Sequence, residues 1–174
     1  MQREQVILVD ETDTPLGTME KMEAHRRALL HRAFSVFIFN SKGQMLLQQR
    51  AQEKYHSAGL WTNACCSHPR PGEMTNDAAE RRLGEELGFT TKLEKLFDFT
   101  YKSAFDNGLT EFEFDHVYTG IYDGMVNPDK NEVSDFGYRS IDEIKVWLKS
   151  NPEEFTSWFH LAFPLVLPFF ERKE

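Results

Sequence analysis

A mixed β-sheet sandwiched between helices, an α+β (α/β) arrangement in a single domain, is the fold this sequence predicts, and three observations carry it. Strand-like and helix-like stretches share the chain without the steady strand-helix alternation of a parallel βαβ protein. No repeat, low-complexity block or Gly/Ser linker divides the 174 residues, and a 40% hydrophobic content with 15 phenylalanines can fill one core. The run RAFSVFIFN carries apolar residues on both faces, as a strand at the centre of a sheet does. One domain over 1–174 is therefore expected.

Taken in order, QVILVD reads as a short strand, ETDTPLG as a turn, and the polar segment after it carries Lys21, His25 and His31. RAFSVFIFN, SKG and QMLLQQR read as two strands joined by a tight glycine turn. MTNDAAERRLGEELG is a helix: Thr75 or Asn76 is placed to cap it, Ala79, Leu83 and Leu87 recur every four residues, and Gly88 sits at the left-handed C′ position. LEKLFDFTYKSAF and LTEFEFDHVYTGIYD are longer strands with DNG as the turn between them. Ser140 and Glu143 form a capping-box pattern before an amphipathic helix through Ile144, Trp147 and Leu148, and Pro152 suits the first turn of a final helix. The most apolar stretch, FTSWFHLAFPLVLPFF, is shorter than the ~20 residues of a bilayer span. Interrupted by Pro164 and Pro168, it reads as a buried, broken helix.

Composition excludes several functions. Twenty basic against 28 acidic residues give a net charge of -8, which repels nucleic acid and anionic membranes. Two cysteines, adjacent in sequence, provide no disulfide framework, and MQREQVILVD lacks the apolar core of a signal peptide. A cytoplasmic protein, monomer or weak homo-oligomer, that binds neither nucleic acid nor membrane is expected.

Three stretches carry chemistry. WTNACCSHPRPGE gathers two adjacent cysteines, a histidine, two prolines and a glycine. Vicinal cysteines serve as redox partners, as metal ligands, or as one nucleophile or acid beside a bystander, and the run alone leaves these open. In the helix that follows, Arg81 and Glu85, and Arg82 and Glu86, stand at i, i+4, which in isolation is an ordinary salt-bridged face. With Glu73 before it and Gly88 after it, this region at about 67–89 resembles the Nudix box, in which glutamates hold a divalent metal against a diphosphate. Glu73, Arg81, Leu83, Glu85, Glu86, Gly88 and Phe89 match that pattern; Ser67 and Arg82 do not. Arg82 stands where Nudix hydrolases carry a metal-binding glutamate, and a guanidinium grips phosphate oxygens but never ligates a metal. The third stretch is LTEFEFDHV, whose Glu111, Glu113 and Asp115 share one strand face at intervals of about 6.6–6.8 Å. Like charges so placed repel unless a cation sits among them, although a solvated polar face is the ordinary alternative. His25, His31 and His68 are the imidazoles available to such a cation, and the first two converge only if the segment between them leaves the helix.

Together, HRRALLHRAFSVFIFNSKGQMLLQQRA, WTNACCSHPRPGE, RRLGEELG and TEFEFDHVY resemble type 1 isopentenyl-diphosphate delta-isomerase over nearly the whole chain. The resemblance implies a Nudix-type fold and interconversion of isopentenyl and dimethylallyl diphosphate. It implies one divalent ion, Mn²⁺ or Zn²⁺, on His25, His31, His68, Glu111 and Glu113, and a Mg²⁺ that Glu86 helps bind. It also implies a diphosphate grip of Lys21, Arg50, Lys54 and Arg82. The catalytic thiol is then Cys66, two residues before the histidine of C-x-H-P. Moving a double bond by one carbon needs a proton delivered at one end and removed at the other. By resemblance Cys66 and Glu113 do this from opposite sides, with Tyr101 bonded to the carboxylate. The carbocation that forms calls for an aromatic face, with Trp61 the first candidate and Trp158 of the C-terminal cover the second. A Nudix hydrolase of a nucleoside diphosphate derivative and a non-catalytic metal-binding module are the rival readings; a zinc deaminase lacks its H-x-E and P-C-x-x-C runs.

Overall fold

The computed structural model describes residues 3–171, so the expected domain limits extend past it at both ends. Nine strands and four α-helices lie among these residues. The strands are β1 (Gln5–Val9), β2 (Pro15–Glu20), β3 (His31–Phe39), β4 (Met45–Arg50), β5 (Trp61–Thr62), β6 (Cys65–Ser67), β7 (Glu94–Ala104), β8 (Thr110–Ile121) and β9 (Val133–Arg139). The helices are α1 (Lys21–Arg26), α2 (Thr75–Leu87), α3 (Ile141–Ser150) and α4 (Ser157–Val166).

β3 is the centre of the sheet, as its doubly apolar pattern requires. It runs parallel to β8 from His31↔Glu113 to Phe39↔Ile121 and antiparallel to β6 through Phe34↔Ser67, Ser35↔Cys66 and Val36↔Cys65. Its pairing with β4 is confined to Phe39↔Met45 beside the turn. From there the two strands splay, and β4 pairs instead with β5 and β9. Between the splayed strands lie β6, paired to β3, and β5, paired to β4.

Alternation of side chains sends β3 into two cores. Phe34, Val36 and Ile38 face Ala78, Ala79, Leu83 and Leu87 of α2, together with Cys65. Phe37 and Phe39 face Val117 of β8, Ile144 of α3 and Phe159, Phe163 and Val166 of α4. The helix pattern Ala79, Leu83, Leu87 thus marks a face that is wholly buried.

The observed elements depart from expectation in their strands, in one helix cap and at Pro152. β2, β5, β6 and β9 were not foreseen: β2 is mostly exposed, β5 and β6 are only two and three residues long, and β9 carries Asp135 and Gly137. β2, β5 and β6 present no period-2 apolar signal, and in β9 only Phe136 and Tyr138 alternate with polar or small residues. The cap of α2 is Met74, not Thr75 or Asn76, because the Met74 carbonyl already accepts from the Ala78 N–H at 3.0 Å. Pro152 opens a separate 3₁₀ turn, Pro152–Glu154, and α4 starts after it, capped by Thr156 Oγ1 accepting from the Phe159 N–H. The extended Phe155 between them bridges to Trp61, which keeps the two turns from merging. α4 does break as expected, passing into a 3₁₀ turn at Leu167–Phe169. Among the described residues, no helix is long and apolar enough to cross a membrane.

Candidate active site

Strand register builds the site. Tyr101↔Glu113 across β7–β8 and His31↔Glu113 across β8–β3 place Tyr101, Glu113 and His31 in one row on one face of the sheet. Cys66 is opposite Ser35, so Cys66 and the next residue but one, His68, point to that same face while Cys65 points into the α2 core. α1 ends at Arg26, Ala28 takes φ of +50°, and the chain enters β3 at His31. By leaving the helix between them, the segment brings the His25 and His31 rings to 5.1 Å, and His68 lies 5.8 Å from His25.

His25, His31, His68 and Glu113, all buried, each offer a ligand atom, and these atoms lie within 4.8 Å of one another. The arrangement suits a divalent metal on two further counts. Both ring nitrogens of His25 are buried without a partner, which is costly unless something binds there. Nδ1 of His31 is 2.8 Å from the Leu29 carbonyl, so it carries the proton and leaves the Nε2 lone pair facing His68 Nε2 at 3.2 Å. Burial and the neighbouring imidazoles hold His25 down to about 3, which keeps its lone pairs free. His31 moves the other way: burial lowers its pKa, but the bond to Glu113 and that residue's charge outweigh burial. A proton and a cation thus compete for one place.

Glu113 accepts from Tyr101 at 2.7 Å and lies 2.9 Å from His68 Nε2. Burial opposes its ionisation, yet the two imidazoles hold its carboxyl well below the usual range. Glu111 is not in the four-residue group. Its Oε2 accepts from Tyr101 at 3.0 Å, and its Oε1 is 2.9 Å from Nε2 of His56, a buried histidine that sequence reading missed. The only signal for His56 was an imidazole in a polar loop, KYHS. Asp115 is also buried, its Oδ2 accepting from Ser35 at 2.7 Å, so this strand face is interior rather than the solvated alternative.

His56, His68, Tyr101, Glu111 and Glu113 line a cavity of about 730 Å³ that also exposes Cys66, Glu86, Trp158, Lys21, Arg50, Lys54 and Arg82. Burial first, then the Asp115 carboxyl, pushes the Cys66 thiol up, so it stays protonated near neutrality and suits a proton donor more than a thiolate nucleophile. Glu86 accepts from Gln48 at 2.9 Å and from Arg82 at 2.6 Å. Arg82 also reaches Glu85 at 2.7 Å and Glu132 at 3.6 Å, and Glu132 pairs with Lys54 as well. Lys21 pairs with Glu4, and the Arg50 guanidinium lies 5.1 Å from the Trp158 ring. Glu132 had no sequence signal; it comes to the site only through the β4–β9 pairing.

Trp61 is not on the cavity wall. Its ring packs 5.3 Å from Trp147 in the α4-side core, where Trp147 and Phe155 give it apolar partners. Trp158, 2% exposed, is the tryptophan that lines the cavity.

Comparison with known proteins is consistent with this geometry. The NUDIX domain profile matches residues 29–159. The isopentenyl-diphosphate Delta-isomerase of Pectobacterium atrosepticum is 56% identical over 161 residues, 91% of this chain and 89% of that protein. The protein of the same name from Burkholderia multivorans is 50% identical over 157 residues, 90% of this chain and 89% of that one. Among solved structures, one from Deinococcus radiodurans superposes with a TM-score of 0.71 at 22% identity, covering 85% of this chain and 90% of its own. The MutT protein of Methanosarcina mazei gives 0.67 at 19% identity, over 83% and 96% of the two chains; these two show the fold alone. A NUDIX match across most of the chain and identities of half or more over nine-tenths of it have one reading: the chain belongs to the isopentenyl-diphosphate Delta-isomerases, within the NUDIX-domain proteins.

Proposed function

We propose that this chain interconverts isopentenyl and dimethylallyl diphosphate, with Cys66 and Glu113 as the acid-base pair. The observation that carries the reading is that one cavity holds a thiol kept protonated and a carboxylate kept ionised. A 1,3-shift of a double bond needs those two states at once. In the isopentenyl-to-dimethylallyl direction, Cys66 Sγ–H gives its proton to the terminal methylene. Charge then develops at the tertiary carbon, and Glu113 takes a proton from the neighbouring methylene. Trp158 offers the ring face for that charge. Tyr101, whose single hydroxyl proton lies between Glu113 at 2.7 Å and Glu111 at 3.0 Å, orients the base.

Lys21, Arg50, Lys54 and Arg82 line the same cavity and supply cations for the diphosphate. His25, His31, His68 and Glu113 would hold one divalent ion, with Glu111 adjacent; imidazole and carboxylate donors suit Zn²⁺ or Mn²⁺. Glu86 would help hold a Mg²⁺, which would supply positive charge for the diphosphate. When bound, these ions neutralise substrate charge and fix its position. The two free cysteines and the acidic balance fit a reducing cytoplasm.

Incubation with isopentenyl diphosphate in D₂O tests the reading. Deuterium should enter the methyl group of the dimethylallyl product with the diphosphate intact. Release of phosphate without carbon-bound deuterium would return the chain to the hydrolases.

A further inference from the structure

Asn63 and Thr62, in the run that opens on Trp61, have no part in the chemistry above, yet both are buried, Asn63 fully. The amide of Asn63 has only one workable orientation. Its Nδ2 donates to the Val36 carbonyl at 2.9 Å and the Cys65 carbonyl at 3.1 Å, two groups that only accept. Its Oδ1 is therefore turned the other way, where it accepts from Thr62 Oγ1 at 2.9 Å and from Cys66 Sγ at 3.2 Å. Thr62 Oγ1 in turn accepts from Thr156 Oγ1 at 3.1 Å, and Thr156 Oγ1 accepts from the Phe159 N–H at 3.3 Å as the cap of α4. Each hydroxyl in this chain has one donor role and one acceptor role, so donation runs from the first turn of α4, which carries Trp158, through Thr156 and Thr62 to Asn63 Oδ1, where it meets the Cys66 S–H donating from the other side. Ser35 is the longer of the two contacts: with its hydroxyl proton committed to Asp115 its oxygen can only accept from Sγ, at 3.5 Å against 3.2 Å for Asn63 Oδ1.

We propose that Asn63 is a positioning residue, which through Oδ1 holds the Cys66 thiol on the cavity wall in register with Trp158. This rests on the reading of Cys66 as the proton donor. The two ends of the Asn63 side chain have separable tasks. Nδ2 ties the β5–β6 turn to β3, while Oδ1 sets the side-chain rotamer of Cys66. The link through Thr62 and Thr156 couples the acid to the aromatic face that receives the charge, so neither can shift without the other. A displacement of a reacting group by 1 Å is enough to cost roughly 10²-fold in rate.

The test uses the metal-loaded enzyme with isopentenyl diphosphate. Asn63→Ser removes Oδ1 together with Nδ2 and should lower kcat about 10²-fold, while KM and the affinity for inorganic diphosphate stay within about threefold. A purely structural role would instead lower the folded fraction and leave kcat of the folded remainder unchanged. Should Asn63→Ser fail to fold, Thr62→Val decides: it keeps both Nδ2 bonds, breaks the link to α4, and should lower kcat about fivefold with KM unchanged. Wild-type kcat in whichever of these two variants folds, or a rise in KM that matches the fall in kcat, overturns the inference. Cys66→Ala separates the two layers of argument. If it retains turnover, the proposed function fails; if it is inactive while Asn63→Ser turns over normally, only the role of Asn63 fails.

Discussion

Glu113→Gln separates the two tasks assigned to this carboxylate. The amide has the same shape, so its oxygen can still accept from the Tyr101 hydroxyl that now lies at 2.7 Å. What it loses is the charge, and its NH₂ group then faces the nitrogens of His68 and His31, which lie 2.9 and 3.5 Å from Glu113 Oε1. Those nitrogens must turn lone pairs toward a cation, so an N–H aimed at them displaces the ion as well as failing to bind it. A hydrogen bond or ligand contact to a charged group contributes roughly 1.5–3 kcal/mol. Affinity for the divalent ion should therefore fall about 10- to 150-fold. Loss of a general base removes a further factor of about 10²–10⁴ in kcat, and added metal cannot restore it. The assay is deuterium incorporation from D₂O into product, followed across a range of divalent-ion concentrations, with ion affinity measured by calorimetry. Excess metal should saturate the site and leave kcat at least about 10²-fold low. Recovery to within about tenfold of wild type on adding metal would refute the base and leave Glu113 a ligand alone. Unchanged ion affinity with lost turnover would refute the ligand.

The adjacent cysteines should behave oppositely. Cys66→Ala should lose several orders of magnitude in turnover with diphosphate affinity retained, whereas Cys65→Ala, whose sulfur lies in the α2 core, should turn over normally and lose only about 1 kcal/mol of stability, read from denaturant midpoints. Equal losses in both would show the thiol to be misassigned. The His31 pKa is raised, so the proton that competes with the divalent ion binds more readily than to an ordinary imidazole; ion affinity measured by calorimetry should fall by about tenfold per pH unit below that pKa, with His25, held down to about 3, contributing nothing over the same range. Glu73 is held below its ordinary value of 4.5 chiefly by Arg81, at 2.7 Å. The stability it adds relative to Glu73→Gln should be fully present above pH 4.5 and vanish as pH falls through the lowered pKa, measured by thermal melts. Gly88→Ala places a Cβ against the Asn127 carbonyl at φ +73°, so it should cost more than about 1 kcal/mol; a neutral result would show that the α2 C-terminus is free to move.

Much of the fold was legible because it rests on local periodicity. The buried face of α2 follows from Ala79, Leu83 and Leu87, the central position of β3 from apolar residues on both its sides, and the capping box of α3 from Ser140 and Glu143. The candidate residues were legible for a different reason: alternation puts Glu111, Glu113 and Asp115 on one face whatever the strand packs against. Alternation also decides that Cys65 and Cys66 part company once their segment is extended. Local pattern did not determine which face is which. That Cys66 turns to the cavity and Cys65 to the core follows from the pairing Ser35↔Cys66, a contact 31 residues apart in the chain. The same holds for the metal group: register across β7, β8 and β3 aligns Tyr101, Glu113 and His31, and a break in α1 brings His25 to them. Trp61 and Trp158 look alike in sequence, and only packing separates them, one against Trp147 and the other over the cavity. Periodicity is a property of neighbouring residues and can be read along the chain. A site is assembled from residues that are distant in sequence, and its geometry exists only after strand register and the turn out of α1 have brought them together.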